Sequence, residues 1–236
     1  MANWLDRVFY SFDKAILGFW HQVAQATGSV MTPLMRFISS FGATGLFMIL
    51  LSVILLFFKS TRKHGLASLI AIVIGIIITN VLLKDLIARA RPYTHAEYQD
   101  WWRLVGSSTE EEYAFPSGHA TIATDCFLAI FLVSKRKNIS WLWIVFAVLI
   151  CASRNYLMVH YPTDVISGAL IGAGAAILGV ISTNAIYKKM QANPTKKFNN
   201  FMLNACAINL FRKKRNDDSQ EVTADSDEVK EETANR

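Results

Sequence analysis

Three stretches of this chain, residues 41–58, 66–83 and 165–187, contain no charged side chain. Crossing the hydrocarbon of a bilayer takes roughly 20 apolar residues at the helical rise, and all three approach or exceed that length. Two weaker blocks lie between the second and the third, at 119–133 and 139–153. Each must borrow flanking residues to cross. Lipid offers no partner to a free N–H or C=O, so such spans must be helices. The expected fold is therefore all-α, a polytopic transmembrane bundle of about five spans. A hydrophobic content of 53% over 236 residues agrees with this.

The N-terminus follows another pattern. Leu5, Val8, Phe9, Phe12, Ile16, Phe19, Trp20 and Val23 recur at helical spacing, while Asp6, Arg7, Asp13, Lys14, His21 and Gln22 fall mostly off that stripe. Nothing here has the basic start, short apolar core and small-residue cleavage site of a secretory signal. With Asp13 and Lys14 near its middle, the segment reads as an amphipathic helix in the membrane interface. The rival reading is a polar-streaked sixth span. The chain thus divides into an N-terminal interfacial helix (1–30), a transmembrane domain (31–187) and a tail (188–236).

Charge sets the expected orientation. The connections holding Lys59, Arg62 and Lys63, and Lys135, Arg136 and Lys137, are short and basic, as is the segment after the last span. Five spans place these on one side, which the positive-inside rule makes cytoplasmic. Residues 84–118 and 154–163 then face outward. Residues 188–215 hold eight basic and no acidic residues, and 198–211 reads as a basic amphipathic helix or a solvated tail. Residues 217–236 carry eight acids and no aromatic residue, the composition of a disordered end. The net charge of +6 comes from membrane-flanking runs, so no nucleic-acid partner is expected. Cys126, Cys151 and Cys206 lack framework spacing and read as small apolar residues.

Basic residues on the outward side need a reason, and an anionic ligand is the simplest. Three outward segments carry the chemistry. In KDLIARARP (84–92), Asn80 and Lys84 share a helix face, with Arg89 and Arg91 following before Pro92 ends the helix. A cluster of this kind also serves as a headgroup anchor. In FPSGHATIATD (115–125), Ser117 can cap a helix whose N-terminus suits an anion, Gly118 permits close approach, and His119 sits in the first turn. In SRNYLMVHYPTD (153–164), Arg154 ends a span, His160 follows, and Thr163 or Asp164 can cap the last span. Asp164 could also take the Nδ1 proton of His160 and leave Nε2 free as a nucleophile. Guanidinium and backbone N–H groups for phosphate oxygens, a nucleophile and a proton donor form the inventory of phosphoryl transfer.

With its motifs in order, Lys84…Arg91-Pro92, Pro116-Ser117-Gly118-His119 and Ser153-Arg154…His160…Asp164, the chain resembles the type 2 phosphatidic acid phosphatase family, which shares its pocket with vanadium haloperoxidases. The resemblance covers residues from about 30 to 187. Many members have six spans, whereas this chain begins at the interfacial helix that normally follows the first. The resemblance implies that His160 is the nucleophile, Asp164 its orienting carboxylate and His119 the general acid. It implies that Lys84, Arg91, Ser117, Gly118 and Arg154 hold the phosphate, without a metal or other cofactor. The implied activity is hydrolysis of a membrane lipid phosphate or diphosphate, of the undecaprenyl diphosphate or phosphatidylglycerol phosphate type, at the outer face of the membrane. A lipid-phosphate binder or transporter that kept the pocket without turnover is the alternative, and haloperoxidase chemistry a second one.

Other residues invite plainer readings. Asp125, six residues past His119, is expected to face away from it, bundle-facing and paired. Trp101, Trp102, Tyr93, Tyr98, Tyr113 and Phe115 suggest an interface belt or a lid. Glu110, Glu111 and Glu112 read as a solvated loop tip. Gly168, Gly172, Gly174 and Gly179 read as a close-packing face.

Overall fold

The computed structural model describes residues 2–204, which form helices and loops with no strand among them. The helices are α1 (Ala2–Val8), α2 (Tyr10–Ser40), α3 (Leu46–Phe57), α4 (Arg62–Ile76), α5 (Lys84–Ile87), α6 (Ala96–Val105), α7 (Gly118–Val133), α8 (Lys137–Tyr156), α9 (Pro162–Ala192) and α10 (Lys197–Asn204). Between α4 and α5 the helix widens into π-type turns at Ile77–Leu83, and the Lys84 N–H bonds back to the Thr79 carbonyl.

Each apolar block of the sequence is helical. By length and composition, four helical stretches can cross a membrane: Tyr10–Phe57, Arg62–Thr94, Lys137–Tyr156 and Pro162–Ala192. α7 is a shorter apolar helix. The outward surface is greasy: Leu46, Leu50, Ile54 and Phe57 on α3, and Leu170, Ile177 and Ile181 on α9, are all exposed. Lipid is the medium that covers such a surface without cost.

Small residues let the helices approach. Ala67 and Ala71 of α4, Ala129 of α7 and Ala176 of α9 form one buried cluster. A Cβ placed on Gly168, Gly172 or Gly179 would come within 2.5 Å of the carbonyl oxygens of Ser117, Thr121 and Ala67, respectively. Gly174 departs from the expected face, because nothing lies within 4 Å of its Cβ position. Two residues beyond Gly172 turn it roughly 200° around the helix.

The N-terminal helix runs unbroken through residue 30 to Ser40. Its contacts fall at one end of the bundle. Asp13 reaches Thr163 at the start of α9, Thr32 reaches Tyr156, and Ser39 reaches Arg154 at the end of α8. α2 therefore lies across that end. The apolar stripe of α1 and α2 is divided: Val8, Phe12 and Phe19 are exposed, Leu5 is buried, and Trp20 and Val23 pack on the core beside the buried Leu17 and Ala24, while Asp13 is buried as well. Part of the aromatic group serves packing, while Tyr113 remains exposed. Tyr98 is buried, and Trp101 and Trp102 pack with Leu17 and Ala24, fastening α6 to α2. In the tail, Lys197–Asn204 is helical, and the remainder of the expected amphipathic segment, the RKKR run and the acidic end lie outside the described residues.

Gly172 and Gly174 offer a paired test of helix packing. Gly172→Ala is expected to lower the thermal midpoint in detergent, by the equivalent of about 1–3 kcal/mol for an overpacked contact. Gly174→Ala is expected to be neutral or to raise it, by about 0.5–1 kcal/mol of helix propensity. Equal shifts in the two variants would contradict the packing described above.

Candidate active site

The motif residues meet at the end of the bundle where α7 and α9 begin and α8 ends. The chain enters it through a break. α5 stops at Ile87, and Ala88 takes a left-handed conformation (φ 52°), a position that favours glycine. The sequence had suggested a helix running to Pro92. Instead Arg91 is extended (φ −80°, ψ 153°), and Arg89 and Arg91 both turn inward, 1% and 4% exposed.

A cavity of about 440 Å³ opens here, with Lys84, Arg91, Gly118, His119 and His160 on its wall. Ser117 caps α7, its side chain accepting from the Ala120 N–H at 3.5 Å. The positive end of α7 is thus presented to the cavity. A Cβ on Gly118 would stand 3.9 Å from Lys84 Nζ and 3.7 Å from Asn80 Oδ1, so glycine keeps that face open. His119 lies against Gly42, where a Cβ would meet its Cδ2 at 2.7 Å. Arg154, in the last turn of α8, donates through Nη1 to Ser39 Oγ at 2.6 Å.

His160 is 1% exposed, and its surroundings fix its tautomer. Nδ1 lies 2.8 Å from the Ala114 carbonyl, which can only accept, so Nδ1 carries the proton. Nε2 is left with its lone pair, 3.1 Å from Arg91 Nη1. Asn155 donates to the His160 carbonyl at 3.1 Å and anchors the backbone. Burial, and then the charges of Arg91 and Arg154, push the imidazole well below its ordinary range. Neutral imidazole is the nucleophilic form.

Asp164 does not accept the Nδ1 proton. Its Oδ2 stands 3.8 Å from Nδ1 and accepts the Tyr161 N–H at 2.9 Å, the reciprocal half of a capping box on α9. Oδ1 pairs with Arg89 at 2.6 Å. The cap and the arginine claim the carboxylate, and Asp164 faces His160 as a charge rather than as a hydrogen-bond partner.

The acidic loop is the largest departure from the sequence reading. Glu110 sits between two of the arginines, 2.6 Å from Arg91 Nη1 and also paired with Arg154 Nη2. Glu112 pairs with Lys84. Burial raises the Glu110 carboxyl, but Arg154 and Arg91 outweigh this and hold it below the ordinary carboxylate range. Each of these three cations is therefore already paired with a carboxylate of the loop. Asp125 also departs from expectation: it lines the same cavity as His119, and neither of its oxygens has a hydrogen-bond partner among the described residues. Read from the sequence, Glu110 fell on a solvated loop tip and Asp13 on the polar side of an interfacial helix, so neither was assigned to the site, and nothing pointed to the Ala114 carbonyl.

The chain is 34% identical over 176 residues to an undecaprenyl-diphosphatase of Sulfolobus acidocaldarius, covering 73% of this chain and 78% of that protein. It is 28% identical to Undecaprenyl-diphosphatase BcrC of Bacillus subtilis, covering 73% and 81%. Its fold is similar to the crystal structure of a transmembrane PAP2-type phosphatidylglycerolphosphate phosphatase from Bacillus subtilis, with TM-score 0.59 and 27% identity over 81% of this chain and 89% of that one. The PAP2 superfamily model matches residues 65–188, which hold all three motifs, and the chain belongs to that superfamily.

Proposed function

We propose that this protein is an integral-membrane lipid phosphatase in which His160 attacks the phosphorus of a lipid phosphate monoester or diphosphate. Nε2 forms the P–N bond as the P–O bond to the leaving group breaks, and His119 gives that oxygen its proton. Water then attacks the phosphohistidine, His119 takes a proton from it, and the P–N bond breaks to release phosphate. The observation that carries this reading is the pinned tautomer: Nδ1 bound to the Ala114 carbonyl, Nε2 turned to the cavity beside Arg91.

The other roles follow from position. Lys84, Arg91, Arg154 and the α7 N-terminus at Ser117 and Gly118 neutralise the non-bridging oxygens, the chief need of phosphoryl transfer. Asp164 stabilises the imidazolium that forms on phosphorylation, as orienting carboxylates do for other catalytic histidines. These residues can meet the phosphate's charge without a metal. The named relatives, among them undecaprenyl-diphosphatases and a phosphatidylglycerophosphatase B, support a substrate of the undecaprenyl diphosphate or phosphatidylglycerol phosphate type. The basic connections near residues 59–63 and 135–137, and the end of α9, lie at the far end of the helices from the site. By the positive-inside rule, the site faces outward and the C-terminal tail is cytoplasmic.

His160→Ala is expected to abolish phosphate release while membrane insertion persists, and Asp164→Asn to be severe. Vanadate is expected to inhibit, because a trigonal-bipyramidal oxyanion resembles the transition state, and EDTA is not. Near-normal release by His160→Ala, or loss in EDTA restored by magnesium, would overturn the mechanism. Binding of lipid phosphates without any release would favour a binder. The lowered His160 pKa has its own consequence. The folded chain binds that proton less readily than the unfolded one, so stability rises with pH through the window just below about 6.5. Histidine ¹⁵N spectra, assigned with His160→Ala, are expected to keep His160 neutral across that window.

If His119 protonates the leaving oxygen, His119→Ala loses far more kcat/KM on a lipid monophosphate than on p-nitrophenyl phosphate, whose leaving group needs little help. Equal losses would make it a phosphate-holding residue.

Glu110→Gln removes the carboxylate that competes for Arg91 and Arg154. Vanadate and phosphate are expected to inhibit this variant more tightly, by up to about tenfold, or about 1.4 kcal/mol. Weaker inhibition would mean that Glu110 serves to order the two arginines.

A further inference from the structure

We infer that Asp13 and Arg89 are positioning residues for the His160–Asp164 pair, which makes the N-terminal helix part of the catalytic apparatus. The inference rests on the reading of His160 as nucleophile. The superfamily match begins at residue 65, so Asp13 and its neighbour Asp6 lie before it.

Arg89 binds Asp164 directly and reaches His160 through Ala114. Its Nη1 reaches Asp164 Oδ1 at 2.6 Å and Thr163 Oγ1 at 2.7 Å. Nη2 reaches Asp13 Oδ2, and Nε reaches Asp6 Oδ1, both at 2.8 Å. The guanidinium lies over the Tyr161 ring, 3.9 Å from its centroid. Through its backbone, the Arg89 carbonyl accepts the Ala114 N–H at 2.8 Å, and Ala114 in turn receives the His160 Nδ1 proton. Both groups that face Nδ1, the Ala114 carbonyl and the Asp164 carboxylate, are thus attached to one residue.

Asp13 completes the arrangement from α2. Its Oδ1 accepts the Thr163 N–H at 2.9 Å, and its Oδ2 accepts the Thr163 hydroxyl at 2.8 Å. It therefore caps the first turn of α9, where Asp164 sits. Its charge matters as much as its bonds. A guanidinium paired with Asp164 alone would cancel the negative charge that supports the phosphorylated imidazolium. Three carboxylates share this one, so Asp164 keeps its effect on His160.

A purely structural role for the same contacts predicts something different, namely lost stability without a change in turnover of the folded enzyme. The test uses the full chain in detergent micelles with dioctanoyl phosphatidic acid as probe. Asp13→Asn keeps an oxygen for the Thr163 N–H and removes the charge. It is expected to lower kcat about tenfold with KM within about twofold. In an Asp164→Asn background it is expected to cost nothing further, since residues acting through one another are not additive. Arg89→Lys, a point charge that cannot bridge three carboxylates, is expected to show the same pattern and carries the comparison if Asp13→Asn does not fold. Unchanged kcat with a lowered thermal midpoint, or losses that add to that of Asp164→Asn, would overturn the inference. His160→Ala measured in parallel separates the two levels: an active His160→Ala removes the nucleophile reading, whereas an inactive one beside an unaffected Asp13→Asn removes this inference alone.

Discussion

Buried positive charge is the constraint around which the site is organised. Lys84, Arg89, Arg91 and Arg154 are all less than a tenth exposed, at the end of an apolar bundle. A cation taken from water costs several kcal/mol unless it is paired. The structure supplies two kinds of partner. Glu110 and Glu112 come from a loop, and their side chains remain 26% and 64% exposed. Asp13 and Asp164 come from helices and are essentially inaccessible. In the proposed reaction the first kind yields to the substrate's phosphate, and the second remains throughout the cycle.

The fold was legible because its signals are local. Uncharged blocks of span length have to be helices in lipid, and each of them is. The ends of those helices were less so. Ala88 breaks α5 in a left-handed conformation that a glycine would have announced. Without that mark, Arg89 and Arg91 read as helical residues pointing along the chain. Periodicity also showed that the N-terminal helix has an apolar stripe but not which medium the stripe faces. Val8, Phe12 and Phe19 of the stripe turn outward, whereas the off-stripe Asp13 is buried.

The site was legible to the extent that motifs carry it. Lys84, Arg91, Gly118, His119 and His160 do line one cavity, with Ser117, Arg154 and Asp164 directly behind. What escaped is the set of contacts across long separations. Glu110 meets a residue 44 positions away and Asp13 one 150 positions away, and no spacing rule reaches so far. Asp125 shows the same limit at short range. Six residues of ideal helix turn it well away from His119, yet a cavity that extends between helices can touch both.

Packing and chemistry turn out to share the same atoms. Gly168 lies against the start of α7, its missing Cβ leaving room for the Ser117 carbonyl. At that crossing the Ser117 N–H donates to the Asp164 carbonyl at 3.0 Å. The residue that caps α7 is therefore bonded to the residue that faces His160. A side chain at Gly168 would separate α7 from α9, and it would carry the phosphate-binding helix end away from His160 in the same movement. The small-residue face of α9 is thus a condition of bundle assembly and of the distance between the α7 N-terminus and the imidazole. That is why a site built from three separate segments can hold its geometry with no element of its own to support it.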